Sequence, residues 1–531
     1  MLTNRLPNNS PLSSSRYLLA GLALVFLVVY CFLATPIATD TNVGQRFDWP
    51  DETANYFWSK YYAQSGELTA PEPLNFVAQN QIYPRSFNVR SDGSLVPGSF
   101  LGLILLFGTI AKIFGSWSLI YLTPLLGVLA VFAFYIIVKE IFNPKIALIA
   151  AILMLFNPAW WYYSVTAMLP NVAFVSLLLM SIAFLFGKKF DYWQLLLSAF
   201  LLGLAVLVRP SEFIWIGFIY LVLVFYLRPK LNLVKVILYL AVVATVILPI
   251  FYQQQILYGS FLASGYSQLQ DQSSTCQWCD TVKSLILPFG FHPRLLASNL
   301  WTHYFSRLWW LSLLAVLGLV AFLTQRGKPK PETFVYILLS LVIFGWLGVY
   351  YGSWEFADQL TVHLNTLGLS YVRYWLPLYL MALPFVAISL IFLSQFFPPR
   401  WRRLVIAFLL LALFYQSASL VLFKKPDSIV PVRQRIAEYK NVARQVYDLT
   451  PEDAVIVTVR KDKVFFPQRA VIHTFEALSL NPALIEILPA LKTKVPLYYY
   501  ALGPEPQLKI ADNLILEEVA NIGQEVLYQI K

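Results

Sequence analysis

The sequence predicts an all-α polytopic membrane protein followed by a small C-terminal α/β domain. Hydrophobic residues fill 58% of the 531 positions and the mean hydropathy is +0.63, more apolar surface than a soluble protein hides in its core. Apolar runs of about 17 to 23 residues, long enough to cross a ~30 Å hydrocarbon layer as helices, recur between residues 17 and 423. After residue 423 the pattern changes and predicts a helix over about 430–448, a strand over 454–459 and a strand around 470–473, which together indicate the second domain.

The number and direction of the crossings depend on one apolar segment, PGSFLGLILLFGTIAKIFG, residues 97–115. Eleven other runs predict crossings. If the segment 97–115 does not cross, the five basic clusters in the later short loops share the side of Arg5 and Arg16, whereas a crossing puts all five outside. Basic loops prefer the cytoplasmic side. We therefore expect a multi-pass plasma membrane protein with a cytoplasmic N-terminus, about eleven crossings, an embedded or interfacial helix over 97–115, and an extracytoplasmic C-terminus.

This topology predicts two domains. Residues 1–423 form the transmembrane domain, with outer loops at about 37–96, 253–306 and 352–373, and residues 424–531 form an extracytoplasmic accessory domain. The net charge of +11 falls largely on cytoplasmic loop ends beside anionic lipid headgroups, and no basic and aromatic module predicts nucleic-acid binding. Ionisable residues collect on the outer side, which suits chemistry at the membrane surface, whereas a transporter more often carries charges inside its spans.

The first outer loop concentrates acidic residues in a chain that is only 13% charged. The stretch RFDWPDETANYF, residues 46–57, places Asp48, Asp51 and Glu52 around Pro50, where an amphipathic pattern predicts the start of an interfacial helix. The spacing leaves two interpretations of Asp51 and Glu52: complementing the helix dipole, or supplying a carboxylate that takes a proton from an acceptor hydroxyl. A divalent cation shared by Asp48 and Asp51 also stays open, since hard cations favour oxygen ligands.

Several stretches resemble, in order, one known family. WPDETANYFWSKYYAQSGEL resembles the first outer loop of the GT-C class of polyprenyl-phosphate-sugar-dependent glycosyltransferases, which includes protein O-mannosyltransferases and the lipid A aminoarabinose transferase. PGSFLGLILLFGTIAKIFG resembles the second interfacial helix of that class, and NPKIALIAAILMLFNPAWWYYSVTAMLPNVAF resembles its paired spans around a short outer loop. Four further stretches resemble later elements of the same class: LLGLAVLVRPSEF, LYGSFLASGY, PFGFHP and SYVRYWLPLYLMALPF. Together these stretches cover roughly residues 17–396.

The resemblance implies a glycosyltransferase of the hexosyl or pentosyl type. It would move a sugar, with inversion, from a polyprenyl phosphate donor to an acceptor hydroxyl of a protein, lipid or polysaccharide at the extracytoplasmic face. Asp51 would be the general base with Glu52 beside it, and Asp48 and Asn171 would bind the sugar or acceptor. Many relatives carry a second acid where this chain has Asn171, which forms hydrogen bonds but cannot act as a base. A degenerate relative that only binds, or a flippase or exporter of lipid-linked glycans, therefore stays an alternative.

Two arginines are candidates for binding the donor phosphate. Arg209 and Arg373 lie at the outer ends of predicted spans, where few positive charges are expected, and a leaving phosphate needs positioned cations. The alternative is that each arginine extends to lipid headgroups. Arg294 and Arg307, in or beside the mid-chain loop, are secondary candidates.

The sequence predicts no metal site or organic cofactor, apart from the divalent cation left open above. The four histidines show no ligand spacing, and the tail has no Gly-rich phosphate loop or nucleophile motif. The pair Cys276 and Cys279, in CQWC, fits a disulfide, two free thiols, or a metal site that needs two further ligands.

Overall fold

The computed structural model describes residues 11–35, 46–186, 191–266, 286–324, 330–356, 365–505, 509–511 and 514–531. Contacts divide the chain into two compact units. The first, called the helical unit, comprises Met1–Ala34, Ile120–Val246 and Ser273–Ile429. The second, called the sheet unit, comprises Thr35–Leu119, Ile247–Gln272 and Val430–Lys531. The C-terminal residues thus share a unit with two earlier segments, and the predicted boundary at residue 424 stays a prediction.

Helices make up most of the chain. In order, the α-helices are α1 (Pro11–Ala34), α2 (Pro50–Ser65), α3 (Leu101–Phe114), α4 (Leu119–Ile141), α5 (Pro144–Leu155), α6 (Pro158–Val165), α7 (Pro170–Leu185), α8 (Tyr192–Val208), α9 (Phe213–Leu227), α10 (Leu233–Tyr258), α11 (Pro293–Asn299), α12 (Trp309–Thr324), α13 (Pro331–Gly352), α14 (Ser370–Tyr374), α15 (Leu376–Ser394), α16 (Arg402–Leu422), α17 (Ile429–Leu449), α18 (Asp462–Phe465) and α19 (Pro482–Lys492). A π-helical segment, Leu300–Ser306, follows α11.

Seven helices in the described part of the chain are long and apolar enough to cross a membrane. The number rises to nine if two bent pairs each count as one span: α5 with α6, bent by 49°, and the Pro293–Ser306 segment with α12, bent by 90°. The prediction of a polytopic, mainly helical protein is therefore confirmed. The predicted count of eleven stays a prediction, since it also requires the shorter apolar helices α7 and α8 to cross. The sidedness of both termini likewise stays a prediction.

The helical unit is held together by close packing of apolar helices. Helix α12 packs against α15, and a Cβ at Gly318 of α12 would lie 1.8 Å from the carbonyl oxygen of Phe385 in α15, so only glycine permits this approach. Ser389 of α15 donates a hydrogen bond to the carbonyl of Leu314 at the same contact. The break between α5 and α6 has a sequence cause, because Asn157 caps α6 through Trp160 N at 3.1 Å and Pro158 follows it.

The sheet unit is built on a six-stranded sheet. Its strands are β3 (Val455–Val459), β4 (Ala470–Thr474), β5 (Leu497–Ala501), β6 (Lys509–Ala511), β7 (Leu514–Ile522) and β8 (Glu525–Ile530), in the spatial order β4-β3-β5-β8-β7-β6. Strand β3 is parallel to β4 and β5, and the remaining pairs are antiparallel. Helix α17 and strands β3 and β4 confirm the elements predicted over about 430–448, 454–459 and 470–473.

The first outer loop contributes to the same unit. It forms a short hairpin of β1 (Phe87–Val89) and β2 (Leu95–Pro97), and its Ala78 and Ile82 enter the apolar core of the large sheet. The sheet unit is therefore built partly from an early segment of the chain. Because these distant segments share one unit, Asp48 of the stretch 46–57 contacts Arg435 and Lys463 of the C-terminal residues.

Helix α2 begins at Pro50, as predicted. The amphipathic pattern of the sequence places Asn55, Ser59, Lys60 and Gln64 on the polar side of this helix, and of these Lys60 and Gln64 are exposed. Asn55 and Ser59 are buried, and Asn55 accepts a hydrogen bond from Ser99 at 3.0 Å. The reason lies in α3, where a Cβ at Gly108 would come within 2.9 Å of the Ser59 carbonyl. A glycine on α3 lets the small polar side of α2 pack directly against it. The polar side predicted for α2 is therefore exposed at Lys60 and Gln64, whereas the prediction is wrong for Asn55 and Ser59, which are packed.

Candidate active site

The acids of the first outer loop stand at the start of α2. Trp49, with φ −94° and ψ 138°, precedes the helix, and Pro50 occupies its first turn. The side chain of Glu52 reaches back so that its Oε2 accepts a hydrogen bond from Trp49 N at 3.4 Å, which is one half of a capping box. Gly66, with φ 78°, ends the helix in a left-handed conformation.

Glu52 is buried, with 4% of its surface exposed. Burial raises the pKa of Glu52 to about 8, and the negative charges of Asp48 and Asp51 act in the same direction, against the hydrogen bond from Trp49 and the charge of Lys463. Its carboxyl group is therefore largely protonated at neutral pH. A neutral acid does not complement a helix dipole by charge, so for Glu52 the structure favours a capping and packing role.

Asp48 is held by two cations from the C-terminal part of the chain. Its carboxylate pairs with Arg435 of α17 at 3.1 and 2.5 Å, and with the ammonium group of Lys463 in α18 at 3.4 Å. Lys463 also donates a hydrogen bond to the carbonyl oxygen of Asp48. Burial would raise the pKa of Asp48, but the charges of Lys463 and Arg435 outweigh it, and the pKa lies below its ordinary value. These cations engage the oxygens on which a shared divalent cation would depend.

Asp51 has a different environment from its two neighbours. It lies in the first turn of α2, is partly exposed, and its Oδ1 accepts a hydrogen bond of 2.6 Å from the hydroxyl of Ser86. Ser86 adopts φ 65°, and a Cβ at Gly98 would lie 2.6 Å from the Ser86 backbone, so that glycine secures the bend. A hydroxyl thus orients the Asp51 carboxylate while leaving part of it accessible.

The residues that sequence reasoning missed lie in the C-terminal part of the chain. Arg85 pairs with Asp462 at 2.7 Å and donates to the carbonyl of Arg460 at 2.5 Å, next to Lys463. The sequence feature that could have indicated these residues is the charged run RKDK, residues 460–463, directly after the buried strand β3. Side chains that follow parallel strands meet at one edge of a sheet, where ligands often bind.

In the helical unit, Arg209 lies between α8 and α9 and is buried. Its Nε donates to Glu212 Oε1 at 3.0 Å, and its NH2 donates to the hydroxyl of Tyr351 at 3.0 Å. Glu212 also accepts hydrogen bonds from Tyr351 and, at 2.6 Å, from Nε1 of Trp215. Glu212 is not among the site residues predicted from the sequence, although its i,i+3 spacing from Arg209 in RPSE is visible there.

Arg373 is brought together with Arg209 by an aromatic ring. The guanidinium carbon of Arg209 lies 4.8 Å from the ring centroid of Tyr374, and that of Arg373 lies 5.1 Å from it. Arg373 is also buried and donates to Ser370 Oγ at 2.9 Å. Neither side chain is an exposed arginine extended toward headgroups, so for both the alternative of simple extension into the interface is not supported.

An apolar cavity of about 510 Å³ lies beside this arginine pair. It is lined by α4, α7, α9, α13 and α15, and along α9 it extends from Trp215 to Tyr226, a length of about 16 Å. Trp215 both lines the cavity and hydrogen-bonds Glu212, the partner of Arg209. Trp215 is thus shared by the apolar cavity and by the hydrogen-bonded group around Arg209.

Asn171 follows Pro170 at the start of α7 and is buried. Its Oδ1 has no hydrogen-bond partner among the described residues, which leaves a buried acceptor in the helical unit. No group of three His, Cys, Asp or Glu side chains suited to a metal ion occurs in the described ranges. Cys276 and Cys279 lie outside the described residues.

Comparisons with known proteins agree with this architecture. A family model described as dolichyl-phosphate-mannose-protein mannosyltransferase matches residues 101–252, less than a third of the chain. No curated protein matches.

Among solved structures, ArnT from Cupriavidus metallidurans bound to undecaprenyl phosphate matches with a TM-score of 0.56 and 12% identity, covering 97% of each chain. Its apo form matches with a TM-score of 0.54 and 12% identity, covering 98% of each chain. The oligosaccharyltransferase of Archaeoglobus fulgidus in complex with Zn and sulfate matches with a TM-score of 0.50 and 13% identity, covering 90% of this chain and 67% of that one. These similarities show a shared fold.

Proposed function

We propose that this chain, which has the GT-C fold, is a membrane glycosyltransferase that moves a sugar from a polyprenyl phosphate donor to an acceptor hydroxyl at the extracytoplasmic membrane surface. Asp51 takes the proton of the acceptor hydroxyl, whose oxygen bonds to the anomeric carbon. The bond from that carbon to the phosphate oxygen breaks, and polyprenyl phosphate leaves. Direct displacement with one base inverts the anomeric configuration.

One observation carries the assignment of the base: the three acids of the first outer loop have three different environments. Asp48 is held by Arg435 and Lys463, and Glu52 is buried, with its pKa raised to about 8. Asp51 is partly exposed and oriented by the hydroxyl of Ser86. A general base must reach the acceptor proton within hydrogen-bond distance, and Asp51 is the acid whose surroundings suit that role.

The donor half of the proposal rests on the arginine pair and the apolar cavity. Arg209 and Arg373 meet at Tyr374, and arginines bind phosphate through paired donors. The cavity of about 510 Å³ along α9 offers an apolar channel for isoprenoid units. ArnT of Cupriavidus metallidurans, the similar solved structure, was obtained with undecaprenyl phosphate bound, which supports a donor of this class. Asn171, with its unpaired buried acceptor, is proposed to bind a sugar or acceptor hydroxyl.

The test is transfer of labelled sugar from a panel of polyprenyl phosphate donors by the purified protein in lipid. Asp51→Asn keeps the size of the side chain and removes the base, and we expect transfer to fall about a hundredfold or more. Asp92→Asn, an acid in the exposed turn of the β1–β2 hairpin, is the matched control and should transfer at the wild-type rate. Donor binding by both variants should equal that of the wild type.

Three outcomes decide the assignment. Loss of transfer with intact donor binding in Asp51→Asn supports the enzyme and its base together. Equal activity of Asp51→Asn and Asp92→Asn shows that Asp51 only starts a helix. If every form binds a donor and none transfers from any member of the panel, the chain is a binding protein for lipid-linked sugar.

A further inference from the structure

A second cavity of the helical unit, of about 340 Å³, has a polar lining and two cations. Arg307 lies between the π-helical segment and α12, and Lys424 follows α16. Both line the cavity together with the polar side chains of Asn365, Gln416 and Ser419. Arg209, Arg373 and the acids of the first outer loop do not line it, so its chemistry is separate from the proposed reaction.

Arg307, one of the residues that line the cavity, has a hydrogen-bond donor that the protein does not satisfy. Its Nε is buried and has no hydrogen-bond partner within the described ranges. Arg307 uses its NH1 to donate to the backbone carbonyl of Asn365. The nearby acid is Asp427, which interacts electrostatically with Arg307 but is engaged by the hydroxyl of Thr366 at 2.8 Å. An unsatisfied buried donor costs stability, so a ligand that accepts hydrogen bonds would be favoured here.

The cavity lies at the ends of two apolar helices, α12 and α16, that belong to candidate membrane spans. Trp309 is the first residue of α12 and is 61% exposed, and α16 ends at Leu422, two residues before Lys424. Tryptophan favours the headgroup level of a bilayer. Farther along each helix from the end that lines the cavity, apolar side chains are exposed: Leu313 and Val316 on α12, Leu411 and Tyr415 on α16.

We propose that this cavity binds the phosphate headgroup of an anionic membrane lipid. Arg307 and Lys424 bind the phosphate oxygens, Gln416 and Ser419 hydrogen-bond the polar end of the headgroup, and the acyl chains lie along the exposed faces of α12 and α16. Two cations in one small cavity repel each other unless an anion lies between them, and guanidinium donors pair well with phosphate oxygens. Inorganic phosphate shares this chemistry but lacks the chains, so the two sources can be distinguished.

The test uses the purified full chain in a neutral detergent. The midpoint of thermal unfolding is followed while dioctanoyl phosphatidylglycerol is added, and in a parallel series while sodium phosphate is added, at fixed ionic strength. We expect a saturable rise with the lipid and none with phosphate at equal concentration. Lys424→Gln and Arg307→Gln should each weaken the apparent affinity about tenfold, as loss of one charge-assisted contact does.

Lys425→Gln provides the matched control, since Lys425 is adjacent in sequence, exposed, and not part of the cavity lining. It should bind the lipid as the wild type does. If Arg307→Gln fails to fold, judged by its unfolding midpoint without lipid, Lys424→Gln alone decides. Equal affinity of Lys424→Gln and Lys425→Gln overturns the site. Equal protection by inorganic phosphate overturns the lipid assignment.

Discussion

The hydroxyl of Ser86 donates a 2.6 Å hydrogen bond to Oδ1 of Asp51 across 35 positions of sequence. Ser86 holds this position in a left-handed backbone conformation, φ 65°, that non-glycine residues seldom adopt. Gly98, whose N–H donates to the Ser86 carbonyl at 3.0 Å, leaves room for that bend. Backbone strain of this kind is often found at functional sites, and here it serves to aim one hydroxyl at one carboxylate.

Replacing Ser86 by alanine removes the group that orients the proposed base. We expect Ser86→Ala to lower kcat about tenfold with KM nearly unchanged, because a misplaced base affects the chemical step more than binding. The measurement is steady-state sugar transfer with a saturating donor. Ser94→Ala, which removes a hydroxyl bound to Asp92 in an exposed turn, is the control. Equal kcat values for the two variants would contradict an orienting role.

The raised pKa of Glu52 makes stability depend on pH. The pKa is about 8 in the folded chain against 4.5 for an unperturbed glutamate, so the folded state binds the extra proton between these values. The resulting stabilisation is full below pH 4.5 and is lost as the pH rises through 8. We therefore expect the free energy of unfolding to fall by on the order of a few kcal/mol between pH 5 and 9.

Glu52→Gln isolates this effect, because a neutral amide cannot titrate. The variant should lack the part of the pH slope that Glu52 contributes and should be more stable than the wild type at pH 9. Glu67→Gln, at an exposed position just after the same helix, should keep the wild-type slope. Equilibrium unfolding of all three forms across this pH range is the measurement. If the free energies of unfolding of the wild type and Glu52→Gln change in parallel with pH, the pKa of Glu52 is not raised by folding.

Lys463 is predicted to stabilise the start of α2 from the far end of the chain. Lys463→Gln leaves the buried carboxylate of Asp48 with Arg435, and we expect the free energy of unfolding to fall by about 1 to 3 kcal/mol. The double variant Asp48→Asn with Lys463→Gln should recover part of that loss. Lys531→Gln, whose pair with Glu517 is more than half exposed, should change stability by less than about 0.5 kcal/mol. Chemical denaturation compares the four forms.

Arg373 is predicted to bind the donor phosphate through its planar guanidinium group. Lysine keeps the charge but offers no paired donors and no planar face for Tyr374. We expect Arg373→Lys to weaken binding of undecaprenyl phosphate about tenfold. Arg90→Lys, at a more exposed pair with Asp92, is the control. Equal dissociation constants for both variants, measured by equilibrium binding, would remove Arg373 from the donor site.

The apolar cavity predicts sensitivity to the length of the donor chain. Val222 of α9 lines the cavity, and Val222→Trp should narrow it and weaken binding of long polyprenyl phosphates more than of short ones. Leu221→Trp adds the same ring to the adjacent position, which is 58% exposed and does not line the cavity. Binding constants for donors of two to eleven isoprenoid units separate the variants. If both variants lose affinity equally for donors of every length, the cavity is not the binding site for the isoprenoid chain.

Elements with a strong local pattern were predictable from the sequence. Helix α17 and strands β3 and β4 fall within a few residues of the positions expected from hydrophobic periodicity, and α2 starts at Pro50. The acids and arginines at the proposed site were also visible, because charges are scarce in so apolar a chain. Local periodicity determines such features, and no knowledge of tertiary contacts is needed.

The surroundings of those charged residues were not predictable in the same way. Lys463 meets Asp48 across 415 positions, and no periodicity connects them. Ser59 is buried because α3 happens to place a glycine against it. The pairing of Arg209 with Glu212 was available from their spacing, but choosing it over an interfacial arginine required the burial of both.

The ion pair between Asp48 and Lys463 cannot form until translation has passed residue 463. A ribosome adds about 5 to 20 residues per second, so Lys463 is made roughly 20 to 80 s after Asp48. Until then Asp48 has Arg435 but lacks the second cation that holds it. A messenger truncated before codon 463 would thus yield a product with each of the candidate spans found among the described residues but without the contact between Lys463 and Asp48. Translation has to pass codon 463 before both cations can contact Asp48.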